Sequence, residues 1–408
     1  MTFIEILYWV CIALILYHHV GYPLLLKLLA RSARASPSFE PTAVPPKYPS
    51  ISIIIPCHNE ASVIAKKIEN TAQLEYPREL LSVVIALDGC TDDTRLQAQN
   101  AITSHSDGLH WRVVEFRQNR GKIAVLNEEI AQAQSDIVAL SDASAVVNSD
   151  ALLRAAAHFA TPDIAVVCGT YSLQEDAEAG EQAYWAYQRT LKSREARVAA
   201  PMGAHGAFYL FRRRLWTKLP DDTINDDFIL PMRIVRDGYR AVYDEQIVAT
   251  ELEHTAADQD FRRRVRIGAG NMQQFLRLLS LGNPRHGMTA FVFLSGKGLR
   301  ALMPFIIASA TVLSAALAVG GGGKLYGYLF AAKIALFFAT LLARAFPVLG
   351  KLPLIGQLAY AATGHAASGW GAFLLLSGKH ASLWKLSTKI KPPAATTTEA
   401  RPSRTPPR

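Results

Sequence analysis

The chain has 408 residues, 50% of them hydrophobic, with four cysteines and a formal charge of +9. That length allows one large domain with appendages or two domains, and Cys11, Cys57, Cys90 and Cys168 show no CxxC spacing, which excludes a zinc ribbon or disulfide framework and reads as reduced thiols. The basic excess does not point to nucleic acid, because Lys379 to Arg408 holds seven Lys/Arg against Glu399 alone, a net +6.

The stretch Ile4 to Leu29 is long enough to cross a ~30 Å hydrocarbon layer, with Tyr8 and Trp9 near one end and Tyr22 and Lys27 near the other. It lacks a basic n-region and an A-x-A site, so residues 1–30 read as an anchor and not a cleaved signal. Lys27, Arg31 and Arg34 follow. By the positive-inside rule the next domain faces the cytosol, at the cell (inner) membrane.

Residues 50 to 270 have the mixed composition of a soluble domain. Ser50 to Pro56 is a continuous β-branched run, as in a strand buried on both faces, and a helical pattern follows from Glu60 to Leu74. The runs Ser82 to Leu87, Trp111 to Phe116, Asp136 to Leu140 and Ile164 to Gly169 repeat the theme with helical stretches between them. Strands alternating with helices predict an α/β fold, a doubly wound and mostly parallel sheet. Ligands of such sheets bind beyond the carboxyl ends of the strands. The polar residues there are Cys57 to Glu60, Asp88-Gly89, Asn119 to Lys122 and Ser141 to Ser144. Asp92 and Asp93 read as first-turn helix charges.

No GxGxxG opens the first helix and no GxxxxGK[ST] occurs, which argues against a classical dinucleotide fold and a P-loop. A cation-assisted diphosphate site fits instead. Asp142 offers a hard oxygen ligand for Mg2+ or Mn2+, and Lys122 a mobile positive charge.

Beyond an interfacial segment at 276–298 come three apolar stretches, Leu299 to Val319, Leu325 to Phe346 and Leu352 to Leu376. The first two form a hairpin across GGGGK, with Arg344 and Lys351 on the inner side. The third is diluted by Gly356, Gly364, His365, Ser368 and Gly369, and a full crossing would place the basic tail outside. It re-enters or lies in the interface, or packing in the bundle overrides the charge rule. Lys333, inside an apolar stretch, either pairs within the bundle, snorkels, or meets a lipid phosphate. His18, His19 and His365 have no carboxylate or cysteine nearby to make a metal site. The Pro/Thr/Arg-rich end, within residues 379–408, cannot bury a core and suits anionic headgroups.

IPCHNE, LDGCTDDT, NRGKIAVLN, SDAS, GAHGAFYLFRR and INDD occur in that order over residues 48–275. In this the chain resembles the family 2 glycosyltransferases of the GT-A fold. The anchor and the C-terminal hairpin resemble the membrane-integrated branch that includes cellulose, hyaluronan and poly-N-acetylglucosamine synthases. The resemblance implies transfer of a sugar from a nucleotide-sugar donor to a saccharide or lipid-linked acceptor at the membrane. Partners in polysaccharide assembly and contacts with membrane lipids follow from the same likeness; no nucleic acid is implied.

On this resemblance Asp88 contacts the nucleotide, Lys122 lies near the donor diphosphate, and Asn59 and Glu60 belong to the donor side. Asp142 is the first acid of the DxD metal motif, and Ser144 stands where the second acid usually is. Asp227 is implied as the general base and Asp226 as an acceptor-side or loop-orienting residue. Gly203, His205 and Gly206 form an acceptor-side loop. The QxxRW motif of processive synthases is met by Phe261-Arg262-Arg263-Arg264-Val265, with Arg264 matching but the Gln and Trp absent, which removes an indole face for sugar stacking. The arginine run itself suits pyrophosphate, lipid headgroups or a solvated basic face. Alternatives are a polyprenyl-phosphate acceptor, suggested by Lys333 and the arginine run, and a non-catalytic partner of an assembly complex.

Overall fold

The computed structural model describes residues 2–33, 47–105, 108–174, 179–253, 257–346 and 353–379. Lys351, the side chain of Arg344 and the basic tail from residue 380 onward lie outside the described residues.

Helix α1 (Phe3–Leu16), a π-helical turn (Tyr17–Gly21) and α2 (Tyr22–Ser32) run on as one apolar rod. The catalytic-sized domain follows in the order β1 (Ile51–Cys57), α3 (Ile64–Ala72), β2 (Leu81–Asp88), α4 (Thr94–Ser104), β3 (His110–Phe116) and α5 (Lys122–Gln132). Next come β4 (Ile137–Ser141), β5 (Ala145–Val147), α6 (Ala151–Phe159), β6 (Ile164–Ser172), α7 (Ala179–Val198), β7 (Phe208–Arg212), α8 (Asp226–Arg236) and β8 (Arg240–Glu251). The chain closes with α9 (Ala257–Arg277), α10 (Met288–Val292), α11 (Leu299–Val319), α12 (Lys324–Ala345) and α13 (Pro353–Leu376).

The strands form one sheet in the order β3-β2-β1-β4-β7-β6-β8-β5. Four of its seven pairings are parallel; β4 with β7, β7 with β6 and β8 with β5 are antiparallel. The five predicted strand runs are β1 to β4 and β6. The missed strands are β5, β7 and β8: β5 has only three residues, β7 is embedded in a motif that carries Gly203 and Gly206, and β8 is interrupted by the charged pair Asp244 and Glu245.

The unbroken isoleucine run of β1 is explained by a sheet covered on both sides. Ile51, Ile53 and Ile55 enter one buried cluster with α3, α4 and α6, whereas Ile54 enters a second with α5 and α8. Side chains alternate across a strand, so a strand with two buried faces needs apolar residues at every step. The second cluster also takes in Tyr22 and Leu26 of α2 and Phe293. The inner end of the first apolar rod is therefore packed into the core of the domain.

Among the described residues, three helices are long and apolar enough to cross a membrane: Phe3–Ser32, Met288–Val319 and Lys324–Leu342. The second begins inside the segment expected to be interfacial, because Met288–Gly298 is helical and runs straight into α11. Lys333 is paired internally, its Nζ donating to Tyr8 Oη (3.2 Å), Ser314 Oγ (3.1 Å) and Ala310 O (3.3 Å). α13 lies along α9 so tightly that a Cβ on Gly371 would be 2.0 Å from Val265 O.

Candidate active site

Three segments meet at the carboxyl rim of the sheet. Asp142 follows β4, its N–H donating to Ala207 O (3.2 Å). Lys122 opens α5, and Asp226 and Asp227 open α8, where the helix N-terminus favours negative charge. Lys122 Nζ lies 2.8 Å from Asp142 Oδ1 and 3.6 Å from Asp226 Oδ1. Gly206 faces the middle of the group. A methyl placed on it would sit 3.2 Å from Asp142 Oδ2, 3.7 Å from Lys122 Nζ and 3.8 Å from Asp227 Oδ2.

Burial alone would pull the Lys122 ammonium down, but Asp142, Asp226 and Asp227 outweigh it and hold it above the ordinary lysine value. Asp227 moves the other way. Burial first, and Asp226 next, push its carboxyl up to about 6 against the pull of Lys122 and Lys192. A carboxyl placed there is basic enough to accept a proton and still ionised near neutral pH.

The loop before β7 is fastened on two sides. Lys192 of α7 donates to Gly203 O and Ala204 O (2.9 Å each), and Ala204 N–H donates to Asp227 O (2.8 Å). Gly203 has φ +80, and a Cβ there would meet Phe228 Cδ2 at 2.5 Å, so only glycine fits. α9 grips the approach to α8: Ile224 N–H donates to Gln273 Oε1 (2.9 Å) and Asn225 Nδ2 to Gln274 Oε1 (3.2 Å). Beneath Asp142, the buried Lys67 donates to Ser141 Oγ (2.6 Å) and Ala145 O (2.5 Å).

The donor-side residues of the sequence reading line a neighbouring wall. Asp88 accepts from the N–H groups of Arg120 and Gly121 (2.8 Å each), which fixes the residue next to Lys122. Asn59, at φ +58, accepts from Thr91 N–H (2.8 Å). Both side chains thus build the rim. Glu60 is pushed up to about 8 by burial, then by Glu253 and Asp142. Asp92 caps α4 by accepting from Thr94 N–H (3.1 Å).

His205 stacks on Tyr171 with centroids 3.9 Å apart, and Ala207 N–H donates to its Nδ1 (3.2 Å). Burial, then Lys192, Arg263 and Lys122, hold the ring well below the ordinary histidine value, so it is a neutral imidazole. Arg264 meets α13: its guanidinium lies 3.8 Å over the Tyr360 ring. The arginine among the acids is Arg266, pulled down by burial and Arg263 and opposed by Asp142, Asp227 and Asp226.

No group of three His, Cys, Asp or Glu side chains among the described residues is arranged to hold a metal. The donor set still suits a divalent cation that completes its shell with substrate phosphates, as Mg2+ does. Asp142 offers a carboxylate, the Ser144 hydroxyl is hydrogen-bonded to Glu251, and Glu251 Oε1 is a buried acceptor with no partner among the described residues.

Sequence reasoning missed Lys67, Lys192 and Glu251, and reached Arg263 and Arg266 only as members of a basic run suited to pyrophosphate, lipid headgroups or solvent. Glu251 ends a strand and was findable as a strand-end acid; Lys192 stands in a polar helix with no motif around it.

A sequence profile described as Glycosyltransferase like family 2 matches residues 48–270. The poly-beta-1,6-N-acetyl-D-glucosamine synthases of Staphylococcus aureus and Staphylococcus epidermidis are 24% and 23% identical over 235 residues, 56% of this chain and 56% of each relative. The chain matches about half the length of these curated relatives. Among solved structures, the mannosyltransferase PcManGT from Pyrobaculum calidifontis, in complex with GDP-Man and Mn2+, is similar with a TM-score of 0.69. It is 25% identical over 91% of this chain and 99% of that one.

Proposed function

The chain belongs to the glycosyltransferase-like family 2, and from that premise we propose that it is an inverting transferase. It moves a sugar from a nucleotide-sugar donor to a membrane-proximal saccharide or glycolipid acceptor. One observation carries the reading: Asp142, Lys122 and Asp227 all reach within 3.8 Å of a single point above Gly206. An acid for the cation, a cation for the diphosphate and an acid for the acceptor are thus within reach of one small substrate centre.

In the reaction, the acceptor hydroxyl attacks the anomeric carbon while Asp227 takes its proton. The bond from that carbon to the diphosphate breaks, and the electron pair leaves with the diphosphate. Lys122 meets the charge that develops there. A divalent cation held by Asp142, with Ser144 and Glu251 at its side, would supply Lewis-acid stabilisation of the leaving group. Arg263 and Arg266 add positive charge around the same acids.

The apolar helices and the basic residues Lys27, Arg31 and Arg34 support an integral protein of the cell membrane whose domain faces the cytosol. Lys333, one motive for a polyprenyl-phosphate acceptor, is satisfied inside the helix bundle. That favours a saccharide-bearing acceptor.

The test is a donor screen with the full chain in lipid nanodiscs, scored by release of nucleoside diphosphate with and without Mn2+. Asp227→Asn should lower transfer by about 10²- to 10⁴-fold while donor affinity is kept. Unchanged turnover in that variant removes Asp227 as base.

A further inference from the structure

One face of α7 runs along the catalytic loop. Glu195 accepts from Met202 N–H (3.4 Å), Lys192 donates to Gly203 O and Ala204 O, and Trp185 meets His205 with centroids 5.1 Å apart. Gln188 sits on this face, one helical turn from Tyr184 and Trp185. Its Nε2 is buried with no hydrogen-bond partner among the described residues. Burying an amide donor without a partner is costly, which makes an unpaired one a pointer to something that pairs with it.

The rings beside it are continuous. The Tyr171 ring, stacked on His205, lies 4.5 Å from that of Trp185. Trp185 lies 5.4 Å from Tyr184, which lies 5.8 Å from Tyr360 of α13. The Arg264 guanidinium covers Tyr360 at 3.8 Å. The run joins the catalytic loop to an apolar helix. Trp185, Tyr184 and Tyr360 are only half-buried, unlike the rings of the core.

We propose that Trp185, Tyr184 and Tyr360, with the Gln188 amide, form an acceptor track that binds the sugar rings of a glycan and leads its end to Asp227. The track deepens the transferase reading and rests on it. Aromatic rings offer broad apolar faces to the C–H face of a pyranose, and a fixed amide donor takes one of its hydroxyls.

The test uses the full chain in lipid nanodiscs and two probes, mannotriose and chitotriose, titrated against tryptophan fluorescence with no donor present. Each is offered free, and again joined to a hexadecyl chain inserted in the disc, which separates a free glycan from a lipid-borne one. Saturable binding of at least one probe is expected, weakened about tenfold or more in Trp185→Ala and Gln188→Leu and kept largely in Trp185→Phe. Trp111→Phe, far along the sheet, controls for loss of signal alone. With donor added, Trp185→Ala should raise KM for the same probe by a like factor and leave KM for the donor where it was. No saturable binding by the wild-type chain, or equal binding by Trp185→Ala, overturns the track. Binding as expected without any diphosphate release leaves the track standing and sinks the transferase reading.

Discussion

The Lys122 ammonium lies 2.8 Å from Asp142 and 3.6 Å from Asp226, so one cation holds two carboxylates that come from different elements, the end of β4 and the start of α8. Lys122→Met keeps the length of the side chain and removes the charge. Three neighbouring acids then lose their shared counter-ion. The expected result is a lower melting temperature together with donor affinity reduced at least tenfold; a variant that binds donor normally would show that the diphosphate is held elsewhere.

The acid limb of the rate profile should belong to Asp227. Its carboxyl must be ionised to accept a proton, so kcat/KM should fall as pH drops through about 6. Because Asp226 is its close neighbour, the limb is a property of the pair. A profile flat from about pH 5 to about pH 8 counts against the assignment.

The same shift has a stability consequence with a definite sign. An exposed aspartate titrates near 3.9 and this one near 6, so between those values the folded chain binds the extra proton. Folding therefore loses stability as pH rises through that window, and the deficit is complete above it. Asp227→Asn should stabilise the chain by on the order of 1–3 kcal/mol at neutral pH and hardly at all near pH 4, as read by thermal melts at the two values. A variant less stable than the parent at neutral pH contradicts this.

Gly206→Ala puts a methyl group in the middle of the site, 3.2 Å from Asp142 Oδ2. Gly206 has no left-handed backbone, so the fold should survive. Turnover should fall about 10²-fold, since small misplacements at a reacting centre are amplified. Circular dichroism and melting near the parent's, beside that loss, are the expected pair; full activity means the substrate lies elsewhere.

Lys67→Met tests the underside of the turn from Ser141 to Ala145. Lys67 is 1% exposed, and burial pulls its ammonium down to about 8 while Asp142, Cys57 and Glu251 oppose. The variant leaves Ala145 O without its donor, at a cost of about 1–3 kcal/mol. A raised Mn2+ requirement should accompany the lower melting point. Stability loss alone, with the metal titration unmoved, assigns Lys67 to packing.

The rim of the pocket was legible in the sequence because β-branched runs mark buried strands and the polar residues that follow them mark their ends. Asp142 and Lys122 were found this way and Asp227 only through the family resemblance; the three side chains come together above Gly206. Asp88 and Asn59 were found as well, but a strand-end position does not tell whether an oxygen faces a ligand or a neighbouring N–H, as it does in both. Which arginine of Arg262 to Arg266 enters the pocket was not legible either. That depends on the rotation of α9 about its axis, set by the contact of Gly371 with Val265 more than a hundred residues away in sequence. α7 was opaque for a similar reason: its polar composition hides a face that only the loop at 202–205 reveals.

Tyr22, Leu26 and Phe293 share a buried cluster with Ile54 of the central strand. The inner end of the first rod and the start of the second are thus seated in the same buried layer as the central strand. With those rods in a bilayer, this shared packing would tie the depth of the pocket to that of the helices, so lengthening or shortening the first rod by one turn should alter transfer to a membrane-borne acceptor more than to a free one.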